Sequence, residues 1–143
     1  MAAKGDEVLH LPMIVEAAES SPAAASQAAA EIRRFLSTKN YARAYVQYNA
    51  IMLVRILADN PGKSFTRNVD SKFVGTVKDL LREGKDISVQ QILRETLEFF
   101  EKNKANDETL ANLRELWQKE KAKMNKRSST IVSQVRPAVV MRC

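Results

Sequence analysis

Apolar residues recur at every third or fourth position through most of this chain, which is the spacing of amphipathic helices. The strongest start signal is Ser21 followed by Pro22, an N-cap residue and a first-turn proline. The helix that they open carries its apolar residues on one face: Ala25, Ala28, Ala29, Ile32, Phe35 and Leu36. Because several of these side chains are small, we expect this face to pack closely on a neighbouring helix.

A second pattern predicts a helix over residues 41–59, with Asn40 as its cap. Around residues 50–58 this helix is apolar on nearly every side, which indicates a helix enclosed by neighbours. We therefore place it at the centre of the domain. Three tyrosines lie on one stripe of it, and we expect half-buried rings rather than a binding platform for Tyr41, Tyr45 and Tyr48.

The central helix ends at an Asn60-Pro61-Gly62 break. Pro61 disfavours helical geometry at Asn60, and Gly62 permits a tight reversal of the chain. Phe65 and Phe73 flank the break, and we expect both rings to point inward and seal the junction.

Three further helices follow the break. Their start signals are Asp70 or Ser71, a capping box of Ser88 with Gln91, and Asn106 or Asp107. Gly84 ends the first of them, and Trp117 lies on the apolar side of the last, where we expect it in the core. Since no persuasive alternation of a strand is present, the sequence predicts an all-α domain of stacked helices.

The length of 143 residues fits one domain. We divide it into a flexible N-terminus at 1–8, a helical domain at 9–125 and a flexible basic tail at 126–143. No apolar run approaches the ~20 residues that span a bilayer, and no basic region of a signal peptide is present. Cys143 is the only cysteine, so neither an internal disulfide nor a cysteine metal site is predicted, and a cytosolic compartment is favoured.

The net charge of +6 comes entirely from residues 61–143, since residues 1–60 are balanced. Such a surface favours anionic partners: acidic peptides, anionic lipid or nucleic acid. A solubilising surface, or lysines that oppose a helix dipole, is the alternative.

Nucleic acid is not expected as the partner of this basic half, because exposed aromatic residues are not interleaved with the charges. The candidate basic surface consists of Lys63, Arg67, Lys72, Lys78, Lys119 and Lys123.

Catalysis is not expected. The only histidine, His10, and the only cysteine, Cys143, lie at opposite ends of the chain, so no nucleophile and base are paired in sequence. The four glycines form no phosphate-binding loop, and no cofactor or metal site is predicted. We therefore expect a binding protein.

The order of these features, from "IRRFL" through "LADNPGKSFTRNV" and "DSKFVGTVKDLL" to "ISVQQILRETLEFF", resembles the VHS domain of the ENTH/VHS superfamily of trafficking adaptors. The resemblance covers about residues 10–124. It implies a right-handed α-α superhelix of about seven to eight helices. The positions that carry it are Asn60, Gly62, Phe65, Val69, Phe73, Leu80 and Leu81.

Domains of this family bind ubiquitin, phosphoinositides, or acidic-dileucine sorting signals in a groove between the sixth and eighth helices. By this resemblance we expect the groove between the helices at 87–104 and 107–124, with Arg94, Arg114 and Lys121 as its cations. The tryptophan with which the family contacts ubiquitin is absent from "HLPMIV". Many relatives continue into a GAT domain, so we expect a short or truncated form.

The resemblance implies a non-enzymatic adaptor in endosomal or endocytic protein transport, cytoplasmic and peripheral to the endosomal or plasma membrane. Its partners would be sorting peptides, ubiquitin or phosphoinositide headgroups. A competing hypothesis is a nuclear domain of the same superhelical fold that reads the phosphorylated tail of RNA polymerase II. A third is a structural scaffold for a partner protein.

Overall fold

The computed structural model describes the backbone of residues 11–141 and the side chains of residues 16–126. The predicted flexible segment 1–8 lies outside the described residues. Within them the chain forms seven α-helices and two short 3-10 helices, and no strand, as expected for an all-α protein. The helices are α1 Leu11–Ser20, α2 Pro22–Phe35, α3 Ala44–Leu57, α4 Lys63–Thr66, α5 Ser71–Glu83, α6 Ile87–Asn103 and α7 Ala111–Met141.

Helix α2 begins where its capping residues predict. The Ser21 hydroxyl accepts a hydrogen bond from the Ala24 N–H at 3.0 Å, and Pro22 occupies the first turn. Ala25, Ala29 and Ile32 are buried on one face. The small side chains of Ala25 and Ala29 suit the packing of α2 against both α1 and α3.

Helix α3 is the central helix that the sequence predicts, and it packs against α1, α2 and α6. It begins at Ala44, later than expected, because Asn40 does not cap it. Asn40 is buried in a 3-10 helix at Thr38–Asn40, and its Nδ2 donates to the Arg34 carbonyl at 3.0 Å. The side-chain amide of Asn40 thus satisfies a backbone carbonyl in the last turn of α2, and it does not bind an N–H group at the start of α3.

The break after α3 is a tight reversal centred on Gly62, whose φ of 81° disfavours residues with a side chain. The Gly62 N–H donates to the Leu57 carbonyl at 3.0 Å, and the short α4 starts at once. Phe65 in α4 is fully buried, as is Phe73 in α5, whereas Asn60 in the turn is exposed. The break therefore returns the chain to the core within a few residues.

The later helices differ from the prediction at their ends. Asp70 caps α5, but the predicted box of Ser88 and Gln91 is wrong: the carboxylate of Asp86 accepts from the Val89 N–H at 2.9 Å and caps α6. Asp107 caps a 3-10 helix at Glu108–Leu110 that leads into α7. Helix α7 continues beyond residue 125, where the helical domain was expected to end, to Met141.

One hydrophobic core connects α1 to α7, and Trp117 belongs to it with 5% of its surface exposed. The Trp117 indole donates its N–H to Glu98 Oε1 at 2.9 Å, so its polar atom is satisfied. Among residues 11–141, no helix combines the length and the low polarity that a bilayer-crossing segment requires.

Candidate functional site

A groove of about 560 Å³ lies between α5 and α7. Its α5 wall consists of Ser71, Val74, Gly75, Lys78 and Arg82. Its α7 wall consists of Asn112, Glu115, Leu116, Lys119, Glu120 and Lys123. This volume is within the range of ligand-binding pockets in proteins. We call this feature the α5–α7 groove.

The floor of the groove is apolar and open. Leu116 is buried against the core, and Val74 is partly buried beside it. Gly75 lines the groove with them, and apart from its two chain neighbours and the nearby backbone of its own helix no atom lies within 4 Å of the position that a Cβ would take. An apolar side chain of a ligand could therefore reach Val74 and Leu116 without displacing any group of the protein.

The walls carry four cations and two carboxylates. Lys78 and Arg82 are four residues apart on α5, and Lys119 and Lys123 are four apart on α7, so each pair shares a helix face. The carboxylates are those of Glu115 and Glu120. The excess of cations makes the groove suitable for an anionic ligand.

Arg82 and Glu120 form a paired hydrogen bond across the groove. Arg82 Nε donates to Glu120 Oε1 at 3.2 Å and Nη2 donates to Oε2 at 2.8 Å. The Glu120 side chain is only 4% exposed, whereas that of Arg82 is 42% exposed. These hydrogen bonds hold the pKa of the Glu120 carboxyl below its ordinary value, although burial acts in the opposite direction. The pair fixes the guanidinium and leaves three of its five N–H groups for other acceptors.

The six predicted basic residues do not all line the α5–α7 groove. Lys78, Lys119 and Lys123 line the α5–α7 groove. Lys63 is paired with Glu108 at 3.2 Å, and the other two, Arg67 and Lys72, are exposed and do not line the groove. Arg82 was not predicted, because its place in the groove depends on a partner 38 residues away.

In the groove predicted between the helices at 87–104 and 107–124, contacts within the chain occupy two of the three cations. Arg114 Nη1 donates to the carbonyls of Lys104 at 2.7 Å and of Asp107 at 2.6 Å. The guanidinium thereby satisfies two backbone carbonyl groups that follow the end of α6. Arg94, the remaining predicted cation, is exposed and lines a pocket with residues of both α5 and α7.

Lys121, the third predicted cation, is held by two carboxylates of α6. Its Nζ contacts Glu98 and Glu101 and lies 5.5 Å from the centre of the Trp117 ring. The hydrogen bond to Glu101 is the main reason that the pKa of Lys121 is raised. This lysine therefore joins α6 to α7 through ion pairs within the chain.

The three tyrosines of the predicted stripe are partly buried, as expected. Tyr45 keeps 47% of its surface exposed and Tyr48 keeps 39%, whereas Ile87 at the start of α6 keeps 82%. Tyr41 is also partly buried, and burial is the main reason that the pKa of its hydroxyl is raised.

No protein-family model matches this chain, and comparisons with curated proteins and with solved structures find no match either. We therefore interpret the α5–α7 groove from the charges and the apolar residues of its lining.

Proposed function

We propose that this chain is a non-enzymatic adaptor module of the VHS type, which binds acidic peptides in the α5–α7 groove. In this proposal the helices form the right-handed α-α superhelix of that family. The resemblance in sequence, the all-helical fold and the groove support it together. The basic groove with its apolar floor is the observation that carries the proposal.

An acidic peptide that also bears apolar side chains matches the two properties of the groove. Carboxylates would pair with Lys78 on one wall and Lys119 on the other, while an apolar side chain would enter above Gly75 and contact Leu116. Lys119 is exposed and Lys78 is partly exposed, so the ion pairs are weak individually and sensitive to salt. We expect modest affinity, which suits a reversible cargo contact.

We place this activity in the cytoplasm, at the surface of endosomes or the plasma membrane. There an adaptor of this type would recognise sorting signals of the acidic-dileucine kind in the tails of transported proteins. The groove supplies the cations and the apolar contact that such a signal requires. Ubiquitin and phosphoinositide headgroups are the other ligands that the resemblance implies.

The test is the affinity of a fluorescent acidic-dileucine peptide for the wild-type chain and for charge-reversal variants. Because an exposed ion pair contributes about 0.2–1 kcal/mol, the double variant Lys78→Glu/Lys119→Glu should weaken binding about tenfold or more. Lys72→Glu, on the same helix α5 but outside the groove, is the matched control and should bind like the wild type. Absence of binding to the wild type, or equal losses in both variants, would refute the proposal.

Three further probes separate the alternatives in the same assay. These are a phosphorylated repeat peptide of the RNA polymerase II tail, phosphoinositide vesicles with neutral vesicles as control, and ubiquitin. Tighter binding of the polymerase peptide than of the acidic-dileucine peptide would favour the nuclear hypothesis. Binding to the charged vesicles alone would favour a membrane-surface function.

A further inference from the structure

A second pocket adjoins the α5–α7 groove. It has a volume of about 330 Å³ and lies where the end of α5, the start of α6 and the middle of α7 meet. Arg82 and Glu120 line both the groove and this pocket, so the two spaces meet at that ion pair. Leu81 and Met124 supply its apolar contacts, and Arg94 supplies its additional cation.

Arg94 is available for a ligand. Its side chain is exposed, and its guanidinium makes no hydrogen bond or ion pair with any residue of the part of the chain that the structure describes. Glu120 uses only two N–H groups of Arg82. The pocket therefore presents two guanidinium groups, one of them already oriented, against a single carboxylate that is already paired.

Two hydrogen bonds join the walls of the pocket that α5 and α6 form. Gln90 Nε2 donates to the carbonyls of Leu80 at 2.7 Å and of Gly84 at 3.0 Å, which ties the first turn of α6 to the end of α5. Arg94 lies one helical turn after Gln90 and on the same face. These hydrogen bonds therefore join the part of α6 that leads to Arg94 to the part of α5 that carries Arg82.

We propose that this pocket is a second anion subsite, which binds a further carboxylate of the same acidic peptide that occupies the α5–α7 groove. The inference rests on the proposed function and makes it more specific. The preferred ligand is a peptide with two separate acidic groups, one between the lysines of the groove and the other between Arg82 and Arg94. Arg82 then lines both the groove and the second subsite.

The experiment uses the labelled acidic-dileucine peptide and derivatives in which a second Asp-Asp pair is placed at successive positions on either side of the first acidic group. One placement should bind about fivefold tighter than its Asn-Asn counterpart, as expected for charge-assisted hydrogen bonds to a partly exposed site. Arg94→Ala should abolish this gain. Lys102→Ala removes a charge from the same helix outside both spaces, and should keep it.

The side-chain Nε–H signal of Arg94 in an NMR titration gives a second readout, which should shift only with the two-cluster peptide. If no placement of the second Asp-Asp pair improves binding, or if Arg94→Ala keeps the full gain, the second subsite is refuted while the groove itself stands. If neither peptide binds the wild-type chain, the proposed function fails first.

Discussion

Arg82 and Glu120 are 38 residues apart in sequence, yet two hydrogen bonds of 2.8 and 3.2 Å join the guanidinium to the carboxylate. The carboxylate is almost completely buried, and the guanidinium is partly open to the groove. This pair connects α5 to α7 and stands at the boundary of two pockets. It is therefore both a structural link and a part of the proposed binding surface.

Replacement of Arg82 should destabilise the fold. In Arg82→Met the buried Glu120 carboxylate loses its main partner and keeps the longer contact with Lys123, at 3.6 Å. Since an unpaired buried charge is costly, we expect the free energy of unfolding to fall by about 2–4 kcal/mol in urea titrations. Lys85→Met, at an exposed position after α5, should change it by less than about 0.5 kcal/mol. Equal effects of the two substitutions would contradict the structural function of the pair.

The same pair predicts a dependence of stability on pH. Because the folded-state pKa of Glu120 lies below the ordinary value of 4.5, ionised Glu120 stabilises the fold above that pH. This contribution is lost as the pH falls through 4.5 towards the folded-state pKa. The difference in unfolding free energy between wild type and Glu120→Gln should thus be largest near pH 7 and should shrink below pH 4.5. A difference that stays constant down to pH 3 would exclude this origin.

Substitution by alanine should change the stability of the fold in opposite directions at two glycines of the same region. Gly75 lies within α5 with open space at the Cβ position, so Gly75→Ala should stabilise the fold by up to about 1 kcal/mol. At Gly84 a Cβ would lie 2.7 Å from the Leu80 carbonyl oxygen and 2.8 Å from Gln90 Nε2. Gly84→Ala should therefore lower the melting temperature, and thermal unfolding of both variants checks the opposite signs.

The cap of α6 can be tested directly. Asp86→Ala removes the acceptor of the Val89 N–H and should cost about 1 kcal/mol of unfolding free energy. Ser88→Ala, at the residue that the sequence pattern favours as the cap, should cost less than about 0.5 kcal/mol. Denaturant unfolding measures both free energies. A larger loss for Ser88→Ala than for Asp86→Ala would support Ser88 as the cap, as the sequence pattern predicts.

The helices could be predicted from sequence because their signals are local. Ser21 with Pro22, Asp70, and the apolar run of α3 each depend on residues within one or two turns. Asn40 was assigned to the wrong helix, because its amide reaches back to the Arg34 carbonyl rather than forward to α3. Spacing alone does not distinguish these two directions.

The groove was harder to predict, because it depends on which helices become neighbours. Lys78, Lys119 and Lys123 were recognised as basic, but sequence gave no reason to place α5 opposite α7. Arg114 and Lys121 are cations of the kind that a binding groove uses. However, Arg114 already donates to backbone carbonyls, and Lys121 is already paired with carboxylates of α6. Only the tertiary structure distinguishes a cation that is available from one that is already paired.

The most direct test of the central proposal is an NMR titration of the ¹⁵N-labelled chain with the acidic-dileucine peptide. We predict that the largest shifts of backbone amides will be at Gly75, Lys78 and Lys119, with smaller changes on the exposed face of Tyr45 and Tyr48. Shifts that concentrate on that tyrosine face, or no shifts at peptide concentrations well above that of the protein, would contradict peptide binding in the α5–α7 groove.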